Sequence, residues 1–104
     1  MTEVIELKKY IEFNKQRYVS KLVHDSAKAR VALFSLEKGQ ELPNHTSTSE
    51  VLFQVLEGKG KAVIGAEEIS MKAGQMVFCP AKAPHGLKAE ERFVVLAVIA
   101  PRPD

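Results

Sequence analysis

The chain has 104 residues, 45% hydrophobic and 27% charged, with 15 Lys and Arg against 13 Asp and Glu. That is one domain with enough apolar content to bury a core. The two signs are interspersed without a block of five or six like charges, which excludes a dedicated nucleic-acid surface. No apolar run approaches the ~18 residues of a membrane-spanning helix. The charged first ten residues do not read as a secretory signal, and Cys79 is alone, so no internal disulfide is available. The expectation is a cytoplasmic protein without a membrane or nucleic-acid partner.

Along the chain, residues 2–13 read two ways. Val4, Leu7 and Ile11 fit a helical stripe with Thr2 as N-cap, or the segment is a short strand and a loop. Residues 17–23 alternate weakly. Arg30–Leu36 and residues 51–56 are near-continuous apolar runs, as in strands buried on both faces. Residues 61–64 and 68–71 flank Gly65-Ala66, a hairpin turn in which glycine supplies a positive φ. Residues 75–79, 86–89 and 92–99 complete the strands, with turn signals at 38–39, 57–60, 73–74 and 80–84. The pattern predicts an all-β domain over residues 1–104: an arm at 1–16, a β-barrel at 17–100 and a tail at 101–104. Strands and turns alone leave a sandwich and a barrel equally open.

Two spaced patterns go further. Gly39 to Gly58 reads GQELPNHTSTSEVLFQVLEG, and Gly74 to Ala89 reads GQMVFCPAKAPHGLKA. They resemble the two motifs of the cupin superfamily, G-x5-H-x-H-x3-E-x6-G and G-x5-P-x-G-x2-H-x3-N. Gly39, His45 and Gly58 match the first; Gly74, Pro80 and His85 match the second. The resemblance implies a double-stranded β-helix, the cupin jelly-roll barrel. It also implies a metal centre of three His and one Glu, which this chain only half supplies. Ser47 stands at the second histidine, Val51 at the glutamate, Lys82 at the glycine and Ala89 at the Asn.

The candidate site follows. His45 and Ser47, two residues apart, are expected on one face of the strand that continues through Val51 and Phe53. His85 opens a later strand, and the resemblance points both histidines into the barrel. Neutral imidazole is the commonest metal ligand, so His45 and His85 are the candidate ligands for a divalent metal (Zn, Fe, Mn or Ni). Catalytic metal sites usually use three protein ligands. Glu50 would join them only if a β-bulge near Ser49 turned it inward.

The other reading is a small-molecule pocket in the barrel mouth. His45, Ser47 and His85 are its polar groups, and Val51, Phe53, Cys79 and Leu87, with Leu33, Val55 and Phe78, its apolar wall. Cys79 is either a nucleophile paired with His85 or a small buried hydrophobe. His24 reads as a surface residue near a hairpin tip, and Gln54 should face away from Val51 and Phe53. Cupins include dioxygenases, isomerases, decarboxylases, storage proteins and sugar-binding regulatory domains, so the resemblance leaves two functions open. One is a binding module with a degenerate metal site; the alternative is a metal-dependent oxygenase or isomerase using His45 and His85. Strands apolar on both sides predict a homodimer.

Overall fold

The structure, a computed structural model, describes residues 3–103 and is all-β apart from one short 3-10 helix, Leu7–Tyr10. Nine strands follow: β1 (Val19–Asp25), β2 (Arg30–Leu36), β3 (Glu41–His45), β4 (Glu50–Glu57), β5 (Lys59–Ile64), β6 (Glu67–Lys72), β7 (Met76–Cys79), β8 (His85–Ala89) and β9 (Phe93–Ala100). They form two antiparallel sheets, one in the order β1-β2-β9-β4-β7 and the other β3-β8-β5-β6. The two sheets enclose one core as a double-stranded β-helix. No described helix is long and apolar enough to cross a membrane.

Alternation along each strand builds the core. Val51, Phe53 and Val55 of β4 face inward against Phe93, Val95 and Ala97 of β9 and Leu87 and Ala89 of β8, all nearly inaccessible. Gln54 lies on the opposite face of β4, as its position predicts. Gly58 closes β4 at φ 79°, and a Cβ there would fall on the Arg92 carbonyl. Glycine therefore serves twice at this turn, for its conformation and for its lack of bulk.

The arm differs from either simple expectation. Its helical stretch is the single turn Leu7–Tyr10, capped by Glu6 without a side-chain bond, and the rest is extended or bent; the expected cap at Thr2 lies outside the described residues. The Glu12 amide donates to Ser35 Oγ at 3.2 Å, and Glu12 pairs with Lys21. Ser35 and Leu33 point away from the barrel interior, because their neighbours Phe34 and Ala32 pair with the inward Val95 and Ala97. Both are fully buried, so the arm covers this side of the outer face. Leu33 is therefore a residue under the arm and not part of the barrel mouth.

Candidate functional site

His45 and His85 are brought together by two local devices. The first is a register shift in β3. Leu42 pairs with Leu87, yet three residues later His45 pairs with His85, so one extra residue is accommodated around Pro43 and Asn44. Without that bulge, alternation would place His45 on the face opposite to Leu42. With it, His45 stands beside His85 on the Leu42–Leu87 side. The second device is Gly86. A Cβ there would meet Asn44 Oδ1 and the Leu42 carbonyl oxygen at 2.5 Å each, so its absence lets β3 lie close to β8.

The imidazole centroids are 4.3 Å apart and edge-on, and the His85 ring also meets Phe53 edge-on at 5.8 Å. His45 is exposed, whereas His85 is 3% exposed. Each ring is fixed in the same way. His45 Nδ1 lies 3.3 Å from the Pro43 carbonyl oxygen, and His85 Nδ1 lies 3.1 Å from the Ala83 carbonyl oxygen. A carbonyl only accepts, so each Nδ1 carries the proton and each neutral ring keeps its lone pair on Nε2. Burial holds the His85 pKa below the ordinary histidine value, opposed by the Ala83 hydrogen bond and reinforced by charge on His45. His85 is therefore neutral at neutral pH.

The other expected residues fall elsewhere. His45 ends β3, and residues 46–49 turn before β4 begins, so His45 and Ser47 do not share a strand. The Ser47 hydroxyl accepts from the Ser49 amide at 3.2 Å, a local turn bond that a short hydroxyl side chain makes easily. Its carbonyl accepts from the Lys82 amide at 2.8 Å, which ties the β3–β4 turn to the β7–β8 turn that delivers His85.

Glu50 is exposed, and the β4 register runs unbroken from Glu50 to Val55. The bulge that would turn Glu50 inward is absent; the β4 irregularity lies between Val55 and Glu57. Val51, Phe53, Cys79 and Leu87 are at most 2% exposed and pack in the core, so they underlie the histidines without offering open surface. Desolvation pushes the Cys79 thiol up to about 11, which makes it a buried small hydrophobe and not a nucleophile. Phe78 is half exposed and faces outward, because its neighbour Cys79 pairs with the inward Val51. His24 is exposed near the end of β1.

Sequence spacing did not single out Gly86, nor the Pro43 and Ala83 carbonyls. The available signal was the pairing of Pro43 and Pro84 with the histidines that follow them. No group of three His, Cys, Asp or Glu able to hold a metal occurs among the described residues. Four clefts of 270–410 Å3 lie on other parts of the surface, and none of the four borders either histidine.

The barrel agrees with comparisons to known proteins. The family model described as "Cupin domain" matches residues 32–99. The chain belongs to the cupin family. This cupin superimposes on the TT1209 protein of Thermus thermophilus with a TM-score of 0.91 at 31% identity, covering 98% of this chain and 100% of that one. An RmlC-like cupin from Desulfovibrio desulfuricans gives 0.90 at 35% identity, covering 97% and 98%. A salicylate 1,2-dioxygenase variant from Pseudoaminobacter salicylatoxidans gives 0.75 at 23% identity, covering 80% of this cupin and 26% of the dioxygenase, a likeness of fold alone. No curated protein matches this chain.

Proposed function

We propose that this cupin binds a small molecule at the rim of its barrel through the paired Nε2 atoms of His45 and His85, and that its metal site is degenerate. The observation that carries the reading is the matched Nδ1-to-carbonyl bond on each ring. It fixes both tautomers and leaves two neighbouring acceptors. A neutral Nε2 takes a hydrogen bond and gives none. The ligand class is therefore a hydrogen-bond donor: a hydroxylated or amine-bearing small molecule whose apolar part rests against the rim.

A resident metal fits this donor set poorly. Two imidazoles fall short of the three protein ligands of catalytic zinc and of the two-His-one-carboxylate iron site. The residues at the missing positions are Val51, buried in the core, and Ser47, engaged in its turn. The metal-dependent oxygenase or isomerase keeps one supporting observation, the same pair of free Nε2 atoms. It would need its remaining ligands from outside the two motifs.

The test is a titration of protein carrying 15N-labelled histidine with phenol, a pentose and a hydroxy acid, following the Nε2 resonances at pH 7.5. The expected result is a saturable shift on both rings with at least one donor at pH 7.5. The shift should vanish in the His85→Gln variant. Donors that leave both rings unmoved would overturn the binding reading.

A further inference from the structure

Both sheets contribute to the end of the barrel that carries the histidines. The 46–49 turn leads from His45 at the end of β3 into β4, and the 80–84 turn leads from Cys79 at the end of β7 into His85 at the start of β8. Each turn crosses from one sheet to the other. The start of β4 and the end of β7 therefore stand at the histidine end. On the five-stranded sheet one row of paired residues runs across that end: Cys79, Val51, Ile99, Arg30 and Asp25. Val51 and Cys79 belong to the core and Ile99 packs against it, so the row faces inward. Arg30 thus starts from the inner face of one sheet, at the same end of the barrel as the two imidazoles of the other.

The charges in that row are unequal. Asp25 is its carboxylate, and both Asp25 oxygens already accept from the Arg102 guanidinium. Two bonds of the tail hold Arg102 in place. Its amide donates to the Lys28 carbonyl at 3.2 Å, and the buried Ser49 Oγ donates to the Pro101 carbonyl at 2.6 Å. Arg30 is left as the looser partner. Its Nε lies 3.5 Å from Asp25 Oδ1, is buried and has no hydrogen-bond partner. Two guanidiniums share one carboxylate, which leaves one positive charge in excess. The Arg30 side chain is 31% exposed, so it is partly covered and still open to a small molecule. A half-covered charge without a matched partner is costly, and the planar guanidinium fork matches a carboxylate.

We propose that Arg30 receives the anionic end of the ligand whose hydroxyl meets the histidine Nε2 atoms, so that the ligand class is a hydroxy acid. This rests on the binding reading given above and narrows it. The imidazoles accept a hydrogen bond and the guanidinium donates one, so the two sides of the rim ask for opposite ends of one molecule. Facing sheets stand ~10 Å apart, with side chains from both sides reaching into the gap. A molecule one aromatic ring long, with its hydroxyl and carboxylate at opposite ends, suits that span.

The test compares 4-hydroxybenzoate with its neutral amide, 4-hydroxybenzamide, by titration at pH 7.5 while the 15N-labelled histidine rings are followed. Both probes should shift the rings of the wild type, and the acid should bind about tenfold more tightly, the worth of one charge-assisted hydrogen bond. Arg30→Gln should bind the two probes equally and still show the ring shifts. Arg17→Gln is the control: Arg17 is exposed and precedes β1, whose other end carries Asp25, and this variant should keep the preference for the acid. If Arg30→Gln fails to fold, Arg30→Met gives the same reading. Equal affinities in the wild type, or a preference for the acid that survives in a folded Arg30 variant or is lost in Arg17→Gln, would overturn the anion site and leave the histidine reading standing. Rings unmoved by either probe would overturn both.

Discussion

Lys82 sits at φ 72° in the turn between β7 and β8, where the cupin motif places glycine. A side chain in this left-handed region costs about 1–2 kcal/mol, which glycine avoids. The turn is held there by the Lys82 amide, which donates to the Ser47 carbonyl, and a glycine would keep that bond. Lys82→Gly should therefore stabilise the protein by about 0.5–1 kcal/mol, the gain being reduced by glycine's freedom in the unfolded chain. Urea denaturation measures it, and a loss of stability would show that the lysine side chain contributes more than its strain. At the same scale, spacing found the two histidines and misplaced their neighbours. Each histidine closely follows a proline, so the motif positions survive local irregularity. Phe78 and Leu33 occur in apolar runs, and such runs do not say which face of a strand is the inner one.

Among the elements, β3 was the hardest to read. Only Leu42 of its five residues is buried, and Pro43 interrupts the alternation, so Glu41–His45 has no period-2 signal. The strand exists because β8 pairs with it, and a contact with a partner distant in sequence leaves no local trace. The same bulge that hides β3 sets His45 beside His85, with Gly86 allowing the close approach. Gly86→Ala should separate the strands by forcing its Cβ against Asn44 and the Leu42 carbonyl. The expected result is a loss of about 1–3 kcal/mol, as for other overpacked sites. The His45 and His85 ring resonances should also lose their mutual influence. An alanine variant with wild-type stability and unchanged imidazole spectra would contradict this account of the bulge. The strands β2, β6 and β9 were legible to within a residue at each end, whereas β5 begins two residues early, at Lys59, inside the expected 57–60 turn.

For the whole molecule, the barrel follows from alternation and turn spacing, while the chemistry rests on which motif positions are filled. An inward turn of Glu50 would have required a local slip in β4. Pairing with both β7 and β9 prevents it, since a central strand has neighbours on each side to hold its register. The site is left with two imidazoles, a phenylalanine floor and no carboxylate. The most direct measurement is calorimetric titration of the metal-stripped, untagged protein with Zn2+ at pH 7.5, with Val51→Glu alongside. The account predicts weak binding by the wild type and no change in Tm on adding a chelator. Val51→Glu should gain at least tenfold in affinity, because it adds a carboxylate at the position where the family supplies one. Tight stoichiometric binding by the wild type, with a fall in Tm when the metal is removed, would contradict it.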